Sequence, residues 1–177
     1  MRVLIMLATT MLLGLTGCAT NYGTRPAGDV TAAVQVRDST FDARRIYAGP
    51  PSFSETSRFP FVDNETARLV AFKDKATGQV THAVTLMVMY SGGWRFYESV
   101  SLPGGTTVSL HEVKRDVNAC MGAGCTFTEQ MALELTDDQA QAARSGLQFR
   151  VNARSGHSNI ITLPGEYVRG FLATTFN

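Results

Sequence analysis

The run at residues 80–90 constrains the fold more than any other part of the chain. It reads Val-Thr-His-Ala-Val-Thr-Leu-Met-Val-Met-Tyr, alternating at first and apolar on both faces toward its end. A strand with two apolar faces needs partners on both edges and cover above and below, so this one is expected at the centre of a sheet. Around it stand further strand-like segments at residues 68–73, 94–102, 107–118 and 126–135. Residues 30–36 read as a first strand and residues 40–47 as a weaker second. The connections Lys75-Ala76-Thr77-Gly78-Gln79 and Ser91-Gly92-Gly93 have the composition of hairpin loops, with glycine where positive φ is needed.

A three-residue loop at Ser91-Gly92-Gly93 pairs Tyr90 with Trp94, Val88 with Phe96 and Leu86 with Glu98. A similar loop at Ala76-Thr77-Gly78 pairs Val84 with Val70 and Leu86 with Arg68. Both registers gather the even-numbered apolar residues on one face, as a buried face requires. They also place Arg68 and Glu98 on either side of Leu86, as a neighbouring charged pair. The segment at residues 48–64 breaks this regularity, because Pro50-Pro51 and Pro60 forbid continuous strand or helix. It carries Phe53, Phe59 and Phe61, which either pin the loop over the core or form a binding lip.

The period changes late in the chain. Thr136-Asp137-Asp138-Gln139 is a capping box, with Leu135 and Ala140 placed to staple it and two aspartates at the positive helix end. Gly146 stops this helix. Residues 147–152 and 159–163 read as two strands about Ser155-Gly156, and Pro164 suits the first turn of a last helix. Val168, Phe171, Leu172 and Phe176 line one face of that helix, while Gly170 argues for a short one. The expected architecture is mainly β: an antiparallel β-sandwich or a strongly curved sheet, with two short helices near the C-terminus. Residues 30–177 are enough for one core and form a single β-rich domain.

The N-terminus supplies a location. Arg2 precedes an apolar run at residues 3–15 that is too short to span a bilayer, which takes roughly 20 apolar residues. Such a segment is a targeting leader and lies outside the fold. It ends in Leu15-Thr16-Gly17-Cys18, which resembles the lipobox of bacterial lipoproteins. The resemblance covers about the first eighteen residues and implies a signal peptide at residues 1–17, a diacylglyceryl group on the Cys18 thiol, cleavage before Cys18 and acylation (palmitate) of the new amine. Ala19 stands where an aspartate retains many such proteins in the inner membrane, so the resemblance favours the outer membrane and its periplasmic face. Several acyl chains on one residue hold far more firmly than the marginal binding of one. Residues 18–29 are small and polar and read as a flexible tether reaching roughly 18–20 Å.

The full chain carries 16 Lys and Arg against 15 Asp and Glu, and loss of Arg2 with the leader balances them. A neutral domain has no electrostatic grip on nucleic acid. Besides Cys18, the cysteines are Cys120 and Cys125, with four residues between them. In an oxidising compartment such a pair closes as a structural staple.

Catalytic motifs are hard to find. His111-Glu112 starts like a zinc-protease helix, but Arg115 occupies the position of the second histidine. His82, His111 and His157 are scattered, and no metal or cofactor site is expected. There is no Gly-x-Ser-x-Gly elbow, and Pro103-Gly104-Gly105-Thr106 lacks the lysine and helix of a phosphate loop. The polar residues that interrupt apolar faces are His82, Glu98 and Glu129, and they are the candidate catalytic groups, with Glu112 as a further carboxylate. Residue types of this kind more often keep their heads in water at sheet edges. Trp94, next to a tight turn, is a core anchor or part of a binding surface with Phe53, Phe59 and Phe61. The expected function is therefore that of a cell-envelope lipoprotein, a binding or structural module that meets the membrane through its lipid and partners an envelope protein or glycan. The rival expectations are an envelope hydrolase using a carboxylate or histidine, and a carrier of small apolar ligands.

Overall fold

The computed structural model describes residues 20–54, 64–122 and 124–175. After a 3-10 turn at Tyr22–Thr24 come α1 (Ala27–Ala33), β1 (Gln35–Arg37), β2 (Arg44–Ala48), β3 (Ser52–Phe53), β4 (Asn64–Asp74) and β5 (Val80–Gly92). Then follow β6 (Tyr97–Ser101), β7 (Thr107–Ser109), β8 (His111–Met121), β9 (Gly124–Leu135), α2 (Asp137–Ala142), β10 (Gly146–Ala153), β11 (Ser158–Pro164) and α3 (Gly165–Thr175). The strands form two antiparallel sheets, consistent with a β-sandwich. The larger runs β1-β2-β4-β5-β9-β8, with β3 also on β4; the smaller runs β11-β10-β6-β7. As the two-faced apolar run requires, β5 is central, flanked by β4 and β9.

One apolar core joins the sheets. Leu69 and Ala71 of β4, Val84, Leu86, Val88 and Tyr90 of β5, and Met131 and Leu133 of β9 meet Val100, Phe149, Val151, Ile161 and Leu163 of the smaller sheet. Helix α3 closes one end with Val168, Phe171 and Leu172, each almost fully buried. Tyr167 fixes this helix to the chain before β3: its hydroxyl donates to the Pro50 carbonyl at 2.6 Å and accepts from the Leu69 amide at 3.2 Å. Phe176 of the expected helix face lies outside the described residues. The capping box at Thr136 and Gln139 forms in both directions, at 2.9 and 3.2 Å.

Five expectations need correction. Residues 30–36 do not open as a strand. Asp29 sits in the first turn of α1, where a carboxylate suits the positive helix end, and Val30 is buried against α3. Gly170 is the reason the two helices approach so closely, because a Cβ there would run into the Ala27 carbonyl and come within 2.8 Å of Val30 Cβ. Helix α1 thus stands in addition to α2 and α3, the two helices expected near the C-terminus. The expected tether at residues 18–29 is likewise built into the domain from Asn21 onward: the Tyr22 amide bonds Pro51 O at 3.1 Å and Gly23 is buried.

The Ser91-Gly92-Gly93 turn does not make a hairpin. Tyr90 pairs with Phe127 of β9, and β6 lies in the other sheet, on β10 and β7. Residues 94–96 are the passage between sheets. The segment at residues 107–118 also changes sheet, breaking at Leu110 into β7 and β8. Finally, β4 and β5 pair one residue away from the expected register: Leu69 faces Val84 and Ala67 faces Leu86. Asp74 sets this register. Its Oδ1 accepts from the amides of Ala76 and Thr77 at 3.0 and 2.9 Å, and its own amide bonds Gln79 O at 2.8 Å, which widens the loop by one residue. A slip of one residue turns a strand over. Arg68 therefore points outward and Glu65 inward, and the expected Arg68–Glu98 pair does not form; Glu98 instead pairs with Arg154 at 3.0 Å.

Candidate functional site

The inverted register puts two glutamates on one buried rung. Glu65 of β4 faces Val88 of β5, Val88 faces Glu129 of β9, and Glu129 faces Arg115 of β8. Glu65 and Glu129 are 3% and 1% exposed. Adjacent strands lie about 4.8 Å apart, so the two glutamate backbones stand roughly 10 Å from each other.

Glu129 is saturated with donors. Its Oε1 accepts from the Tyr90 hydroxyl and from the Phe96 amide at 2.9 Å. Its Oε2 accepts from the Tyr97 amide at 3.0 Å and from Arg115 Nε at 3.1 Å. Burial alone would push this carboxyl up. The bonds from Tyr90, Arg115 and the two amides outweigh burial and hold it below the usual glutamate range. Tyr90 is moved the other way, upward, by burial and then by its bond to Glu129, and stays protonated.

The crossing between the sheets is shaped to make these bonds. Phe96 has φ of +57°, a strained conformation for an aromatic residue, and that twist aims two successive amides at the carboxylate. Arg115 and Arg154 stand over the Phe96 ring at 4.9 and 5.8 Å. Arg95, 8% exposed, lies 4.3 Å over the Tyr90 ring and donates to the Tyr97 hydroxyl at 3.1 Å. That hydroxyl donates to Asn159 Oδ1 at 2.5 Å, and Asn159 Nδ2 donates to Glu65. Glu65, Glu129, Arg95 and Arg115 thus belong to one polar network across both sheets, which reaches solvent through the Arg115–Glu112 pair.

The expected site residues do not converge. His82 is 2% exposed and faces Leu135. It is six residues along β5 from Val88, the partner of Glu129, or about 20 Å. Burial lowers the His82 pKa, and Asp137, 3.8 Å away, offsets part of that. Glu98 and Glu112 are solvent-exposed and paired with Arg154 and Arg115. Burial of His82 and Glu129 departs from the expectation of heads in water, and in each case a specific charged neighbour accompanies the burial. Trp94 is half-buried, packed on Phe127 at 4.6 Å between ring centres, which makes it a core anchor. Phe53 is half-buried in β3, away from Trp94, while Phe59, Phe61 and Cys18 lie outside the described residues. Cys120 and Cys125 face each other across the β8–β9 hairpin and are joined by a disulfide.

Sequence reasoning missed Glu65, Arg95, Arg115 and Asn159. Only the Glu129 interruption gave a signal; the others depend on the register and on the sheet crossing. Comparison with family models, curated proteins and solved structures finds no match. No helix among the described residues is long and apolar enough to cross a membrane.

Proposed function

We propose that this protein is a lipid-anchored component of the bacterial cell envelope, processed and acylated at Cys18. It sits on the periplasmic side of the outer membrane and works through its β-domain by binding or structural association, with an envelope protein or a glycan as partner, rather than by catalysis. The location rests on Leu15-Thr16-Gly17-Cys18. The non-catalytic role rests on one observation: Glu129 is 1% exposed and meets four donors, which leaves it no acceptor and no path to a substrate. A general acid or base must come within hydrogen-bond reach of the group it serves. The hydrolase alternative loses its support because His82, Glu98 and Glu129 stand apart. The carrier alternative is disfavoured by a continuous core between the sheets and α3.

Two experiments test this reading. Metabolic labelling with palmitate should mark the wild-type chain in the membrane fraction and leave Cys18→Ser unlabelled and soluble. Cross-linking in intact cells should capture an envelope component. Turnover of an ester, glycan or peptide substrate by the purified wild-type domain would overturn the non-catalytic reading.

A further inference from the structure

We infer that the acylated protein lies on the bilayer in one fixed orientation, with the groove between β3 and β11 against the lipid surface. This inference rests on the acylation of Cys18 proposed above. Two independent observations carry it: where the chain leaves the fold, and what surrounds that point.

The chain is locked to the domain from Asn21 onward. Asn21 Oδ1 accepts from the amides of Gly23 and Phe53, both at 3.0 Å, and its Nδ2 donates to Phe53 O at 3.3 Å. The Tyr22 amide adds its bond to Pro51 O. Only Ala19 and Thr20 separate Asn21 from Cys18. Three residue steps of fully extended chain reach at most about 11 Å. An acyl group on Cys18 therefore enters the membrane close beside Asn21, and the domain has no slack to swing away.

Asn21 itself lines a groove of about 400 Å³ between the edges of the two sheets. Phe53, Ile160 and Pro164 form its apolar wall, with Thr24, Ser54 and Thr162 among its polar groups, and none of its lining residues is charged. Ile160 is 60% exposed, one of the most open large apolar residues of the domain. An uncharged lining with an apolar wall suits the headgroup boundary of a bilayer, and the exposed Arg150, opposite Ile160 across β10 and β11, is placed to meet lipid phosphate there. The β8 edge lies on the far side, three strand spacings from β4 or about 14 Å, and so faces away from the lipid.

The test uses the full-length lipidated protein in vesicles of phosphatidylethanolamine and phosphatidylglycerol. Single spin labels are placed through Ile160→Cys or Lys114→Cys, and collision with a water-soluble nickel complex is measured. Relative to the unacylated Cys18→Ser chain in solution, the label at position 160 should lose accessibility severalfold, and the label at position 114 should not change. A Gly/Ser insertion of about twelve residues after Thr20, with a reach of roughly 17–21 Å, should keep the protein on the vesicles and restore the accessibility of position 160. Equal accessibility at both positions in a chain that floats with the vesicles overturns the orientation alone. A chain that carries no acyl group by mass and does not float overturns the orientation together with the acylation it rests on.

Discussion

Replacing Glu129 by glutamine should destabilise the domain severely, although the side chain changes by one atom. The amide oxygen can take the place of Oε1 and keep the bonds from Tyr90 and the Phe96 amide. The NH2 group then stands at Oε2, donor against donor with the Tyr97 amide and Arg115 Nε. A buried donor left without an acceptor costs about 1–3 kcal/mol. The Tyr97 amide is buried and bears that cost in full; the Arg115 side chain is 26% exposed and recovers part of its hydration. The expected loss is about 2–4 kcal/mol, or roughly 5–15 °C in Tm for a domain of this size. Urea unfolding followed by Trp94 fluorescence reports it directly, because Trp94 packs on Phe127 beside the network. Tyr90→Phe should cost less, about 1–2 kcal/mol, through loss of the two bonds its hydroxyl makes, to Glu129 and from the Arg95 amide. A Glu129→Gln variant within about 0.5 kcal/mol of the parent would refute the saturated-network account. A more stable variant would refute it more sharply, since strained functional carboxylates gain stability on replacement.

Other outcomes follow from the same structure. Gly170→Ala would add stability in a free helix, but here it should cost about 1–3 kcal/mol by forcing α1 off α3, measurable as a lower urea midpoint. His82 binds its proton less tightly folded than unfolded, so acidification from about pH 6.5 toward its depressed folded pKa should lower stability. The slope is at most ~1.4 kcal/mol per pH unit, and His82→Gln should remove it from the pH series of unfolding midpoints. Cys120→Ser with Cys125→Ser should cost about 2 kcal/mol, the small value expected for so short a loop, and leave the far-ultraviolet circular dichroism unchanged. Thr136→Ala should cost about 1 kcal/mol through loss of the cap on α2.

Much of the fold is legible where local chemistry decides it. The two-faced apolar run of β5, the capping box at Thr136, the hairpin about Ser155-Gly156 and the apolar face of α3 all follow from residue type and spacing. What was not legible depends on choices made at a distance. The Asp74 side chain widened one loop by a single residue, and that hid Glu65 by turning β4 over. The glycines after Tyr90 look like a hairpin, yet the chain there crosses to the other sheet, because the partner of Tyr90 is Phe127 and the Phe96 and Tyr97 amides are drawn to Glu129. Helix α1 was hidden because its stability comes from burial of Val30 against Gly170 and not from its own seven residues. Glu129 was visible as an interruption, but whether it was catalytic or structural turned on donors from residues 90, 96, 97 and 115.

The most direct test of the account is the mass of the mature N-terminal peptide purified from membranes. The account predicts a peptide that begins at Cys18 and carries a diacylglyceryl group on sulfur and a further acyl chain on its amine. A peptide that retains residues before Cys18, or one that begins elsewhere with a free Cys18 thiol, would contradict it.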